Sequence, residues 1–277
     1  MRVLITGGNG NIAKMIKNGL SGEFSIFAPS RSELNVLDFN ELHMFLSKNT
    51  FDILVHTCIL GGRRTKEETG DVAYTNILMF EHILKFASHF KMIINLDSGA
   101  IYDRKTDILN RTEEELHTVP LDYYGFSKYV IYNRTLSYPN VFNFRIFNIF
   151  HANEEPNRFI SACFNAEQKN LTVDIHEDKF FDFMYEDDFV RIVRFYFQNF
   201  ENLEALNKTI NIGYDKKYRL SDIAKLIVCD ESKVNIIKSR ANNYSGCVDK
   251  LYSYGIAFDG LDKGLRLYKY KYARNNN

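Results

Sequence analysis

The stretch Arg2-Val3-Leu4-Ile5-Thr6-Gly7-Gly8-Asn9-Gly10-Asn11-Ile12-Ala13 decides how the rest of this chain is read. A short apolar run, residues 2–6, reads as a buried strand. It passes at once into a glycine turn and then into a helical pattern over residues 11–20. Within the turn the spacing is Gly7-x-x-Gly10-x-x-Ala13. Gly7 permits the tight turn, Gly10 lets the backbone approach a pyrophosphate, and Ala13 is small enough for a helix to lie close on its strand. The first helical amides, those of Asn11 and Ile12, have no intrahelical acceptor and suit an anion. A glycine turn alone is a common structural device. Between an opening strand and a helix it points to dinucleotide binding.

Beyond the turn, apolar runs at residues 24–28, 53–57, 92–96 and 141–147 alternate with helical patterns at 38–48, 74–88 and 122–136. Continuously apolar strands separated by helices predict an α/β fold, a Rossmann doubly wound parallel sheet covered on both faces. The second half is less regular. It reads as a loop at 151–156, helices at 158–169 and 186–197, and a strand at 209–212. Ser221 reads as the N-cap of a helix over 223–228, and the polar tail, 269–277, as frayed. We expect an NADP(H)-binding domain over 1–150, with returning segments near 183–213. Residues 151–277 are expected mainly to form a smaller mixed α/β substrate domain.

Composition narrows the class. The chain has 277 residues, no formal net charge, 25% charged and 45% hydrophobic residues, which suits a globular protein. The balanced charge gives no sign of a nucleic-acid or membrane surface. No signal-peptide pattern and no apolar run long enough to span a membrane are seen. The four cysteines, Cys58, Cys163, Cys229 and Cys247, lie far apart without CxxC spacing. Reduced thiols and a cytoplasmic setting are expected, without a metal site.

Two further constellations suggest redox chemistry. An NAD-binding domain usually carries an acid about 20 residues after its glycine turn. Here Ser30 and Arg31 stand there, and an arginine can pair with a 2′-phosphate, which favours NADP(H). Tyr124 and Lys128 lie four apart on one helical face. A nearby ammonium lowers a phenol's pKa, so the pair can move the proton that accompanies hydride transfer. Ser98 follows an apolar strand, at the end where an open parallel sheet places its site.

Together these features resemble the extended short-chain dehydrogenase/reductases, which act mostly on nucleotide-activated sugars. The resemblance rests on Thr6-Gly7-x-x-Gly10, Ser98 four residues before Tyr102, Tyr124-Gly-Phe-Ser-Lys128 and Phe183-Met-Tyr-Glu-Asp-Asp188. Within that family, Ser30-Arg31-Ser-Glu-Leu-Asn-Val-Leu-Asp38 and Gly61-Gly62 resemble the GDP-L-fucose synthases most closely. The resemblance implies a catalytic trio Ser98, Tyr124 and Lys128, with Tyr124 and Lys128 also touching the cofactor. It counts Asp38 with the cofactor residues Gly7, Gly10, Asn11, Ile12, Ser30 and Arg31. It implies substrate contacts from Asn148, Arg158 and Lys179, and a homodimer.

The departures from the pattern matter as much. The synthases' epimerising cysteine is replaced by Ala100, and the partner histidine aligns with Arg158, a poor base because it stays protonated. Dehydratases place an Asp-Glu pair where this chain has Gly99 and Ala100. Phe181 stands where the family often holds a diphosphate-binding arginine. The resulting expectation is a C4 reductase of a nucleotide-linked 4-keto-6-deoxy sugar, GDP-linked hexose or heptose, without C3/C5 epimerase function. The alternatives are an NAD-dependent 4-epimerase and a non-catalytic cofactor sensor. Asp187 and Asp188 read as helix-capping residues. His176, Glu177, Asp178 and Asp182 read as turn residues, and the charged stretch 63–68 as solvated surface that could also guide substrate access.

Overall fold

Aliphatic and β-branched runs too short for helices become strands, and the amphipathic segments between them become the helices that cover the sheet. The computed structural model describes residues 1–62, 68–238 and 241–275. In chain order the strands are β1 (Arg2–Thr6), β2 (Ser25–Phe27), β3 (Ile53–His56), β4 (Met92–Ser98), β5 (Ile108–Arg111), β6 (Val141–Ile146), β7 (Ile149–Phe150), β8 (Val173–Ile175), β9 (Met184–Tyr185), β10 (Thr209–Ile212), β11 (Val234–Ile236) and β12 (Tyr244–Gly246). The helices are α1 (Asn11–Leu20), α2 (Phe39–Lys48), α3 (Gly70–Leu84), α4 (Tyr123–Thr135), α5 (Phe159–Gln168), α6 (Glu186–Gln198), α7 (Leu220–Ile227), α8 (Asp249–Tyr252) and α9 (Gly260–Asn275). No described helix is long and apolar enough to cross a membrane.

The chain divides into two compact units. The first comprises residues 1–103, 115–146 and 190–210 and holds the six-stranded sheet, ordered β10-β6-β4-β3-β1-β2. The pairs β1–β2, β1–β3, β3–β4 and β4–β6 are all parallel. This is the expected doubly wound Rossmann-like sheet. Its order reverses between β1 and β3, and the carboxyl ends flanking such a switch point are where open α/β sheets bind ligands. On one face Leu4, Leu54 and Ile93 from the strands pack with Leu42, Leu46, Phe80, Ile83 and Ile131 from α2, α3 and α4. Each fully buried aliphatic side chain of this kind contributes about 1.5–3 kcal/mol.

The second unit comprises residues 104–114, 147–189 and 211–277. It contains three two-stranded pairs, β5–β12, β7–β9 and β8–β11, all parallel. Several of these strands are only two to four residues long, below what periodicity reveals.

Three expectations are corrected. Helix α3 begins at Gly70, four residues before the expected start, because burial of Val72, Ala73 and Asn76 outweighs the poor helix propensity of Gly70 and Asp71. Arg219, not Ser221, is the N-cap of α7. Ser221 instead donates its amide and hydroxyl to Asp178, both at 3.0 Å. The tail is not frayed from residue 269. It is the second half of α9, held by the buried Tyr268 and by Lys271, which pairs with Glu186 and Asp187.

Candidate active site

The phosphate loop follows from what its glycines exclude. Gly7 adopts φ +74°, and a Cβ there would lie 2.9 Å from Cys58 Sγ. Gly8 is tighter: a Cβ would meet Ala28 O at 2.0 Å, while its amide donates to Pro29 O at 2.8 Å. The loop is thereby pinned to the segment after β2. Gly10 caps α1 in extended backbone with no side-chain hydrogen bond. A Cβ on Gly10 would meet only Gly7 O, at 3.2 Å. The helix start thus presents the backbone of Asn11 and Ile12 without a capping side chain, and Ala13 is fully buried against the sheet. An uncapped N-terminus over an open glycine fits the pyrophosphate of a dinucleotide.

Three residues beyond β2, Ser30 donates its amide and hydroxyl to Glu33 Oε2, at 2.7 and 2.8 Å. These bonds, the amide first, hold the Glu33 carboxyl below its ordinary range. Arg31 is exposed. Burial pushes the nearby Cys58 thiol up, against the pull of the Arg31 charge. Asp38 caps α2, its Oδ1 accepting from the amides of Asn40 and Glu41 at 2.9 and 3.0 Å.

Ser98, Tyr124 and Lys128 lie in the first unit with this loop. Ser98 ends β4 and caps a short 3-10 turn, Gly99–Tyr102, its Oγ accepting from the Ala100 amide at 3.2 Å. Helix α4 packs on that turn. A Cβ at Gly125 would lie 2.7 Å from Ala100 O, so glycine beside Tyr124 sets how closely the tyrosine's helix approaches the serine's turn. Sequence reasoning passed over Gly125, although a glycine in a helix is a recognised sign of close packing. Lys128 is 4% exposed and donates to Leu96 O at 2.5 Å. Its ammonium lies 5.7 Å from the Tyr124 ring centroid. Burial lowers its pKa to about 8, against the upward pull of Asp97. Buried His56, its Nδ1 3.0 Å from Thr6 Oγ1, is kept neutral, its pKa lowered to about 3 by burial and then by Lys128.

Beside the trio runs a pairing that sequence reasoning missed. Arg145 on β6 lies opposite Asp97 on β4 and donates to its carboxylate at 2.8 Å, both side chains fully buried. It also donates to Tyr102 Oη at 2.7 Å and lies over the rings of Tyr102 and Tyr132. An arginine inside an apolar strand run was the available signal, since such a residue is almost never buried without a partner.

In the second unit Arg158 caps α5 and donates to Asn148 Oδ1 at 3.2 Å, which brings two of the three expected substrate residues together. Lys179 donates to Glu177 at 3.0 Å. Phe181 stacks with Phe183 and Tyr244, at centroid distances of 4.9 and 5.1 Å. Of the acids read as turn residues, Asp178 and Asp182 each accept hydrogen bonds from residues far away in sequence. Asp178 holds Ser221, and Asp182 accepts from Lys217 and the Gly246 amide at 2.8 and 2.9 Å. Asp188 accepts from the amides of Asp259 and Gly260 at the start of α9 and from Tyr214. The stretch 63–67 lies outside the described residues.

The model of the NAD dependent epimerase/dehydratase family matches residues 3–213. No curated protein matches the chain. Among solved structures, dTDP-4-dehydrorhamnose reductase from Bacillus anthracis str. Ames in complex with NADP is similar at a TM-score of 0.80 and 16% identity, covering 96% of each chain. GDP-mannoheptose C4 reductase from Campylobacter jejuni with NADP bound is similar at 0.79 and 16%, covering 99% of this chain and 98% of that one. dTDP-glucose 4,6-dehydratase from Bacillus anthracis str. Ames in complex with NAD reaches 0.78 at 13% identity, covering 99% and 97%. Reductases and a dehydratase share this fold, so the likeness fixes the fold and leaves the reaction to the site.

Proposed function

Because the chain belongs to the NAD dependent epimerase/dehydratase family, we propose that it is an NADPH-dependent reductase acting on the C4 ketone of a nucleotide-linked 4-keto-6-deoxy sugar. The observation that carries this reading is the buried Lys128 ammonium beside the Tyr124 ring, on a helix packed against the turn that Ser98 opens. A GDP-linked hexose or heptose is the substrate that the sequence resemblance favours. Ala100 and Arg158 supply no acid-base pair for epimerisation at C3 and C5.

The residues of the glycine loop, Gly7, Gly10, Asn11 and Ile12, would hold the cofactor's pyrophosphate, and Arg31 with Ser30 its 2′-phosphate. When bound, NADPH supplies the hydride. Tyr124 protonates the alkoxide oxygen as it develops, and the Ser98 hydroxyl donates a hydrogen bond to the same oxygen. Lys128 stabilises the phenolate that remains and orients the nicotinamide ribose. Although burial lowers its pKa to about 8, that value lies above neutral pH, so the ammonium is mostly charged there. Asn148 and Arg158 would bind the substrate, with Lys179 supplying charge where Phe181 offers none.

The test is NADPH oxidation at 340 nm with GDP-4-keto-6-deoxy-mannose and its heptose counterpart, followed by NMR of the product. Oxidation with C3 and C5 unchanged supports the reading. Tyr124→Phe should lose about 10²-fold or more in kcat while NADPH still binds. Full activity in that variant would sink the assignment. Release of tightly held NAD on denaturation would favour the 4-epimerase instead.

A further inference from the structure

We propose that Glu68 is a positioning residue for Tyr124. Its carboxylate joins two backbone segments, the glycine pair after β3 and the start of α4. Oε1 accepts from the Gly62 amide at 2.6 Å and Oε2 from the Tyr124 amide at 3.2 Å. Tyr124 is the second residue of α4. The N-cap Asp122 satisfies the third amide, that of Gly125, at 2.8 Å, which leaves the Tyr124 amide for Glu68. A carboxylate at a helix N-terminus is also favoured by the helix dipole.

The tie matters because Gly62 is the wall against which the phenol rests. A Cβ on Gly62 would lie 3.0 Å from Tyr124 Cε2 and Cζ. Gly61 and Gly62 hold φ of +79° and +85°, and a glycine pair is free to leave that conformation unless something keeps it there. Glu68 does so at the point of contact. Asn76 makes a separate tie one step earlier. It accepts from the Leu60 amide at 2.8 Å, donates to Leu60 O at 2.9 Å, and donates to Ser127 Oγ at 3.3 Å. With Asn76 retained, loss of Glu68 releases the wall while α3 and α4 stay joined. A misplacement of about 1 Å at a reacting group costs roughly 10²-fold in rate, so a small shift of the ring is enough to register.

The inference rests on the proposed reaction only in its kinetic arm. In the full-length protein, Glu68→Ala and Glu68→Gln are compared for kcat, KM, NADPH affinity and amide hydrogen exchange, with GDP-4-keto-6-deoxy-mannose as substrate. Glu68→Ala should lower kcat by about 10–100-fold, with NADPH affinity changed less than about twofold. Glu68→Gln keeps one acceptor and should fall between. Exchange at Gly62 and Tyr124 should accelerate in Glu68→Ala. Added to Tyr124→Phe, Glu68→Ala should cost little more, because residues that act as a unit are not additive. Unchanged kcat, or an equal further loss in the Tyr124→Phe background, overturns the proposal. If the parent protein turns over no keto sugar, the reductase reading fails, and exchange alone then decides: faster exchange at Gly62 and Tyr124 supports the tie and unchanged exchange overturns it.

Discussion

Gly8→Ala offers the sharpest test of how the phosphate loop is built. The added methyl would lie 2.0 Å from Ala28 O, 2.6 Å from Ala28 C and 2.9 Å from Pro29 O, where ordinary contact begins at 3.4 Å. All three are backbone atoms, so no rotamer change relieves the clash. The loop must move away from the end of β2, and the move strains the bond from the Gly8 amide to Pro29 O. Overpacking costs about 1–3 kcal/mol and the hydrogen bond about 1 kcal/mol, so a loss near 3 kcal/mol is expected. At ~2.1 cal/mol/K per residue the 277-residue chain has a melting entropy of ~0.6 kcal/mol/K, which makes that loss about 5 °C in Tm. Displacing one charge-assisted amide contact to a pyrophosphate is worth about 1.5–3 kcal/mol, or roughly 10–150-fold in NADPH affinity. Gly22→Ala is the control. Nothing lies within 4 Å of a Cβ there, so the change should be neutral or stabilise by up to about 1 kcal/mol through the unfolded chain. Thermal melts and NADPH fluorescence titration measure both. A Gly8→Ala protein that melts and binds NADPH like the parent would refute the loop's geometry as described.

The core beside the proposed catalytic trio is open to two further tests. His56 is lowered to about 3 when folded, so the unfolded chain binds the extra proton between that value and about 6.5, and stability falls as the pH drops through that window. His56→Asn should flatten the slope of stability against pH there by roughly 1 kcal/mol per pH unit, read from urea denaturation at pH 5 and pH 7. Asp97→Ala leaves the Arg145 charge buried without its carboxylate and should cost about 3–5 kcal/mol in denaturant unfolding, while Asp97→Leu combined with Arg145→Met should recover most of it.

The first half of the chain was legible because each of its elements carries its own signal. β1 and α1 fall at the expected residues, and the strand-helix alternation predicts the parallel sheet. The Tyr124–Lys128 spacing was likewise enough to place both side chains together on α4. What stayed hidden depends on contacts far apart in sequence. Glu68 and Tyr124 are 56 residues apart, and Arg145 and Asp97 are 48 apart. Ser221 looks like a helix cap until Asp178, 43 residues away, takes both its donors. The strands of the second unit run two to four residues and owe their existence to partners, not to periodicity.

This difference bears on how reaction and specificity are encoded. The groups assigned to proton movement sit on one helix and one strand end of the first unit, and contiguous motifs specify them. The expected substrate residues Asn148, Arg158 and Lys179 sit in the second unit on irregular backbone, and each is already engaged: Arg158 with Asn148 and Lys179 with Glu177. None of these contacts includes Ser98, Tyr124 or Lys128, the proposed catalytic trio. Phe181, standing where the family often has a diphosphate arginine, stacks with Phe183 and Tyr244 in the same unit. On the proposed reading, specificity would drift through the second unit while Ser98, Tyr124 and Lys128 stay fixed. Arg158→Ala and Lys179→Ala should accordingly raise KM far more than they lower kcat, and the larger of the two effects identifies the side chain that meets the diphosphate.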